Sequence, residues 1–127
     1  MTEELFVDIP DETLSKIVWI ENVKEFDSSK IENGIISIHS KWSGHSILNG
    51  KLILKCIENI KNPDFKIFLI DNETINNEES LKTIGMISHG YFESVWIEKG
   101  KIKFGFKGNQ NSDELNDFLN KIGQNAK

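Results

Sequence analysis

The most informative shortage in this chain of 127 residues is arginine, which is absent, while 20 acidic side chains outnumber the lysines and give a formal net charge of -5. Nucleic-acid binding requires a basic patch that neutralises phosphates, so this balance argues against a nucleic-acid partner. By electrostatic complementarity, an acidic surface predicts that a protein partner is basic.

Cysteine is nearly absent as well. The single Cys56 excludes an intramolecular disulfide and every metal site that requires two thiolates. The three histidines, His39, His45 and His89, do not show the spacing of metal ligands, so we predict no metal site and no cofactor. Cys56 and His39 are instead expected to be packed inside the fold.

Long hydrophobic runs are missing too. No stretch reaches the roughly 18 to 20 apolar residues that cross a bilayer. The first residues are acidic, whereas a secretory signal begins with basic ones. We therefore expect a cytoplasmic protein without a membrane partner.

Repeats and low-complexity segments are absent and only two prolines occur, which predicts a single domain over residues 1–127. Runs rich in β-branched and aromatic residues predict the strands, and place Trp19 and Trp96 in the core. The predicted strands are Lys16–Ile20, Ile35–His39, Phe65–Ile70, Ser94–Ile97 and Lys101–Phe106. The run at Ile35 is nearly all apolar, as expected of a central strand covered on both faces. The last two strands form a hairpin that turns at Gly100.

Periodic apolar residues predict a long helix from Ser46 to about Lys61, ended by Asn62-Pro63. Its predicted buried stripe consists of Leu48, Leu52, Ile53, Cys56, Ile57 and Ile60. A helix between two strands forms a crossover, so Ile35–His39 and Phe65–Ile70 should be adjacent and parallel. Further helices are predicted over Glu21–Phe26, Asn77–Ile84 and Ser112–Ile122, the last capped by Ser112 and burying Leu115, Phe118, Leu119 and Ile122.

This order of elements resembles that of thioredoxin-like proteins. The string Lys41-Trp42-Ser43-Gly44-His45-Ser46 is similar to the family's Trp-Cys-Gly-Pro-Cys segment, because it follows the central strand and opens the long helix. The turn at Lys99-Gly100-Lys101 and the final helix are also similar. The resemblance covers roughly residues 16–122 and implies an α/β fold with a central four- or five-stranded mixed sheet and helices on both faces.

The resemblance also implies that the redox chemistry is lost. Ser43 and Ser46 stand where the family has its two cysteines, and a hydroxyl cannot carry out thiol-disulfide exchange. The family's buried aspartate falls at Ser37. We therefore expect a redox-inactive protein that is not an enzyme.

The family's cis-proline is a further departure. It would lie near Phe92 or Glu93, but no proline follows Pro63. A cis bond before another residue costs about 2.5 to 4 kcal/mol, so a trans, rebuilt loop is expected.

A serine nucleophile is a different interpretation of the same segment. His45 would be the base for Ser43 or Ser46, but residues one or two apart on a helix do not face each other, and no carboxylate is near in sequence. Ser43 is therefore expected to cap the long helix.

The resemblance implies a binding surface where the active site would be. Trp42 borders that face in the family, and the loop over Gly85–Glu93, which contains His89, lies opposite it. The predicted binding residues are Trp42, Ser43, Gly44, His45, Ser46, Tyr91, Phe92 and Glu93. Exposed aromatic residues are typical interface anchors. In the alternative interpretation, Tyr91 and Phe92 fill space beneath the loop.

Two functions follow from these predictions. The first is a redox-inactive thioredoxin-like module that binds a protein. The second is a protein or enzyme that binds a small ligand, glutathione or another anion, at the helix N-terminus formed by Ser43 to Ser46.

Overall fold

A computed structural model describes residues 4–20, 26–71, 86, 90–107 and 112–125. The strands are β1 (Ile17–Ile20), β2 (Asn33–His39), β3 (Lys66–Asp71), β4 (Ser94–Glu98) and β5 (Lys101–Phe106). The α-helices within these ranges are α1 (Asp11–Leu14), α2 (Gly44–Glu58) and α3 (Ser112–Asn125), with 3₁₀ helices at Glu4–Phe6 and Ser28–Lys30. The helix predicted over 77–84, and that over 21–26 except its last residue, lie outside the described residues.

The five strands form one mixed sheet in the order β1-β3-β2-β4-β5. Strand β3 runs parallel to both β1 and β2, whereas β4 runs antiparallel to β2 and β5 antiparallel to β4. The predictions of a mixed sheet, of β2 at its centre and of adjacent parallel strands at Ile35 and Phe65 are confirmed. The parallel pair requires a crossover, and α2 provides it.

Both faces of the sheet are covered by apolar side chains. Successive residues of a strand point to opposite faces, so Ile35 joins one cluster while Ile36 and Ile38 join the other. Helices α2 and α3 pack on the first face through Ile53, Leu54, Ile57, Leu115, Phe118 and Ile122. On the second face, Phe26, Ile31 and Met86 contribute from outside the sheet. None of the described helices is long and apolar enough to cross a membrane.

The hairpin between β4 and β5 turns through Lys99 and Gly100, whose φ angles of 52° and 76° are both positive. A two-residue turn of this kind matches the twist of the strands that it connects, and glycine adopts such a φ without strain. The hairpin predicted at Gly100 is confirmed.

Helix α2 differs from its prediction in two ways. It ends at Glu58, before Asn62-Pro63, and two residues of the predicted stripe, Leu48 and Leu52, are 62% and 44% exposed. The residues that the helix buries are Ser46, Gly50, Ile53, Leu54 and Ile57. Small residues at 46 and 50 allow close packing, so the buried face is not simply the most apolar one.

Trp19 is not a core residue, although its strand is correctly predicted. Because β1 lies at the edge of the sheet, the side chain is covered from fewer directions and is 40% exposed. Its ring packs edge-on against Phe6, at 6.1 Å between centroids. Trp96, on the inner strand β4, is buried as predicted.

Candidate functional site

The candidate site lies where the central strand β2 ends and α2 begins. Ser43 is the N-cap of α2, and its Oγ accepts a hydrogen bond from the Ser46 amide at 3.3 Å. The predicted cap is therefore confirmed. The same hydroxyl donates to the Gly90 carbonyl at 2.6 Å, so Ser43 also ties the helix start to the loop before β4. With its hydrogen engaged and its side chain buried, Ser43 is poorly placed to act as a nucleophile or a ligand.

Ser46 is fully buried one turn further along α2. Its Oγ accepts the Ser40 amide at 3.0 Å and lies 2.9 Å from Nδ1 of His39, which is also buried. Sequence reasoning placed His39 inside the fold but missed this pair. The two residues lie on different elements, and only the packing of α2 on β2 brings them together.

Burial is the main influence on the charge of His39, and it lowers the pKa of the imidazole below its ordinary value. The carboxylate of Asp71 raises this pKa and the ammonium of Lys41 lowers it, both by smaller amounts. These two charges form an ion pair at 3.2 Å beside the histidine. His39 is therefore favoured in its neutral form in the folded protein.

A dependence of stability on pH follows from His39. Because its pKa is lower in the folded state, the unfolded chain binds the proton more readily, and the free energy of unfolding should decrease as the pH falls through about 6.5 and level off below the folded-state pKa. Urea unfolding between about pH 7.5 and pH 5 measures this decrease. His39→Gln should reduce it, whereas His45→Gln, at an exposed position, should not. Equal pH dependence in wild type and His39→Gln would contradict the assignment.

The exposed part of the site is an aromatic surface. Trp42 is 68% exposed, and its ring lies so close to Gly90 that a Cβ added to this glycine would be 3.2 Å from the ring. The rings of His45 and Tyr91 lie 5.1 Å apart, and the Asn49 amide donates to the Tyr91 carbonyl at 2.8 Å. We call the surface formed by Trp42, Gly44, His45 and Tyr91 the Trp42 face.

Phe92 and Glu93 do not belong to that surface. Phe92 is 0% exposed and packs against the ring of His39 at 5.8 Å between centroids. The alternative interpretation, in which this side chain fills space beneath the loop, therefore holds for Phe92, whereas Tyr91 is only half-buried. Glu93 is also buried, and its carbonyl accepts the Ile38 amide at 2.9 Å.

The backbone at Phe92 is unusual, because its φ of 63° is rare for a bulky side chain. Among the described residues no peptide bond is cis. The part of the predicted loop that includes His89 lies outside the described residues. Of the eight predicted binding residues, the structure exposes Trp42, Gly44, His45 and part of Tyr91, and buries Ser43, Ser46, Phe92 and Glu93.

Ser37 forms a pair of uncharged, hydrogen-bonded hydroxyls with Ser94. Its Oγ lies 2.6 Å from that of Ser94, which donates to the Phe92 carbonyl at 2.8 Å. This pair is fully buried under the loop. The Ser94 hydroxyl thereby fixes the backbone carbonyl of Phe92.

Cys56 lies on the side of α2 that faces α3, and its Sγ is 3.6 Å from the Leu119 carbonyl oxygen. Burial raises the pKa of its thiol, which disfavours the reactive thiolate. At 1.5 Å per residue, Cys56 is roughly 20 Å along the helix from Ser43. Among the described residues, no group of three or more His, Cys, Asp and Glu side chains is arranged to hold a metal ion.

The sequence matches no protein-family model and no curated protein. Solved structures are similar in fold. Thioredoxin O1 from Arabidopsis thaliana superposes with a TM-score of 0.67 at 14% identity, over 88% of this chain and 99% of that one. Thioredoxin O2 from the same plant gives 0.61 at 18% identity, over 90% and 97%. Oxidised thioredoxin from Plasmodium falciparum gives 0.61 at 16% identity, over 84% and 98%. The chain therefore has a thioredoxin-like fold, as predicted.

Proposed function

We propose that this chain of thioredoxin-like fold is redox-inactive and binds a protein partner through the Trp42 face. One observation carries the proposal. Trp42, a large aromatic side chain, is 68% exposed at the position in the fold that follows the central strand. The hydroxyls of Ser43 and Ser46 beneath it are engaged in internal hydrogen bonds. We place this function in the cytoplasm, in keeping with a chain that has one cysteine and no disulfide.

The loss of redox activity is supported by the chemistry of the site. The resemblance sets Ser43 and Ser46 at the cysteine positions, and thiol-disulfide exchange requires a thiolate that attacks sulfur. Cys56 does not replace them, because it lies far along α2 and its raised pKa disfavours the thiolate.

We expect no catalysis of insulin reduction by dithiothreitol. The chain lacks a second thiol with which to resolve a mixed disulfide formed at Cys56. Insulin turbidity in the presence and absence of the protein measures this, with Cys56→Ala as the matched control. A rate above the uncatalysed one that disappears in Cys56→Ala would show that Cys56 is a reactive residue.

Protein binding is supported by the composition of the Trp42 face. Tryptophan and tyrosine are typical anchors at the centre of interfaces, since they bury large areas with little loss of side-chain freedom. Three internal contacts hold the face in place: the ring of Trp42 against Gly90, the Ser43 hydroxyl on the Gly90 carbonyl, and the Asn49 amide on the Tyr91 carbonyl. A partner would thus meet a preformed surface, which reduces the entropy lost on binding.

Trp42→Ala should weaken binding of the partner by about 2 kcal/mol or more, roughly 30-fold in Kd, because it removes the largest exposed anchor. The partner is first captured from cells of the source organism and purified, and its affinity is then measured by calorimetry. Asp117→Lys, at an exposed position on α3, is the control and should change affinity little. If the affinity fell in Asp117→Lys and not in Trp42→Ala, the acidic face of α3 would be the interface.

The small-ligand alternative has one structural feature in its favour. Within the described residues, the amides of Gly44 and His45 at the start of α2 have no hydrogen-bond partner, and helix N-termini attract anions. No hydroxyl reinforces them, since those of Ser43 and Ser46 face inward. Titration with glutathione is therefore expected to give no saturable binding. Saturation that is lost when a bulky residue replaces Gly44 would favour the alternative.

A further inference from the structure

The acidic residues of the chain are unevenly distributed. None of the 20 aspartates and glutamates falls between Asn33 and Ile57, a stretch that contains Lys41, Lys51 and Lys55. This stretch forms β2, the loop after it and most of α2. This stretch by itself is cationic, in contrast to the net charge of -5 for the whole chain. Glu58 at the end of α2, and the acidic residues of the two N-terminal helices that contact α2, lie outside it.

The same helix exposes two leucines. Leu48 and Leu52, at 62% and 44% exposure, lie one turn apart on the outer side of α2. His45 lies three residues before Leu48 and Lys55 three residues after Leu52, so the four share one surface of the helix. We call this row, from His45 through Leu48 and Leu52 to Lys55, the α2 crest. It runs roughly 15 Å from the Trp42 face.

The lysines beside the leucines are not neutralised from within the described part of the chain. The Lys51 ammonium donates to a neutral group, the Val7 carbonyl, at 2.9 Å. Lys55 is exposed and no carboxylate in those ranges lies within ion-pair distance of it. The first turn of α2, at the His45 end of the crest, contains no acidic residue either, so the positive end of the helix dipole is not neutralised there.

We propose that the α2 crest docks an acidic, amphipathic segment of the protein partner, with apolar side chains on Leu48 and Leu52 and carboxylates beside Lys51 and Lys55. This inference rests on the proposed protein-binding function and names the chemistry of its partner. It reverses the expectation of a basic partner that follows from net charge. A bound partner interacts with the local electrostatic potential of the surface that it covers, and not with the net charge of the chain.

A second copy of the chain fits the crest less well. Two copies joined crest to crest would bring the lysines of both helices together, and like charges at an interface are unfavourable. Two leucines also cover much less than the roughly 1,200 Å² that small stable interfaces bury. A segment that continues from the crest onto the Trp42 face gains the additional area.

The test uses three synthetic peptides of about 14 residues and the full-length protein. The first is helical, with glutamates and with leucines at every third or fourth position. The second replaces each glutamate by lysine, and the third replaces each leucine by alanine. Fluorescence anisotropy of the labelled peptides measures Kd at low and high salt. We expect the first peptide to bind, with a Kd that rises with salt, and the other two to bind at least about tenfold more weakly.

Two double variants locate the site. The double variant Lys51→Glu with Lys55→Glu should bind the acidic peptide at least about tenfold more weakly than the wild type does. The matched control, Lys101→Glu with Lys103→Glu, makes the same change of charge on the edge strand β5, where these lysines flank the exposed Ile102. It should leave the Kd within about twofold. Thermal unfolding of both variants confirms that they are folded.

The outcomes separate the two proposals. No saturable binding of the acidic peptide up to about 1 mM, equal binding of the basic peptide, or equal effects of the two double variants would overturn the acidic-segment inference. If the captured partner then still required Trp42, the proposed protein-binding function would stand without it. Binding of the acidic peptide that depends on Lys51 and Lys55, together with a captured partner that is insensitive to Trp42→Ala, would support the inference and remove the Trp42 face from the interface.

Discussion

Phe92→Ala is expected to lower the free energy of unfolding by about 3 to 5 kcal/mol. The ring is 0% exposed and packs beside Gly50 of α2 and the ring of His39. Its removal leaves a cavity between the loop, the helix and the sheet. Phenylalanine and alanine both carry a Cβ, so a positive φ at this position costs them a similar amount, and most of the loss reports the missing ring. Urea unfolding at neutral pH measures the effect.

Trp42→Ala is the matched control for Phe92→Ala. Its side chain is mostly in solvent, and substitutions at such positions usually change the free energy of unfolding by about 0.5 kcal/mol or less. The two aromatic residues, grouped as one contact surface by sequence, should therefore separate into an interface residue and a core residue. A small effect at Phe92 together with a large one at Trp42 would reverse this assignment.

Gly34→Ala should destabilise the protein by about 3 kcal/mol, at the upper end of the range for overpacking. A Cβ at this position would lie 2.5 Å from the carbonyl oxygen of Lys66, its register partner on β3. The obstacle is backbone within a pair of parallel strands at the centre of the sheet, so it cannot rotate away. Thermal or urea unfolding of the purified variant gives the measurement.

Gly123→Ala provides the contrast on α3. Outside the helix's own backbone, no atom of the described residues would lie within 4 Å of a Cβ there, and alanine is favoured over glycine within a helix by about 1 kcal/mol. We expect this variant to be as stable as wild type or more stable. If both glycine variants lost equal stability, close packing at Gly34 would not be the cause.

The architecture of the protein could be predicted from its sequence. Apolar and β-branched runs define strands because a covered strand excludes polar residues, and a helix between two of them requires a parallel crossover. The five predicted strands, the central position of β2 and the hairpin at Gly100 agree with the structure for this reason. The cap at Ser43 was equally predictable, since it depends only on residues three apart.

Which apolar residues are covered depends on tertiary packing. Leu48 and Leu52 fit a helical stripe, but α2 buries the small residues Ser46 and Gly50, which admit Phe92 and the N-terminal 3₁₀ helix. Trp19 fits a strand interior, but β1 lies at the edge of the sheet. Periodicity predicts that an element has an apolar face, but it does not predict what that face contacts. The contacts depend on which other elements pack against it.

The chemistry of the site, too, could be predicted from the sequence in part and depends on tertiary packing for the rest. The composition determines the net charge, and the string around Trp42 indicates where in the chain the candidate site lies. Only the packing of α2 on β2 placed His39 beside Ser46, turned the serine hydroxyls inward and left Trp42 outside with the lysines of α2. Distances between side chains on different elements are fixed by how the elements pack, and a linear sequence does not contain those distances.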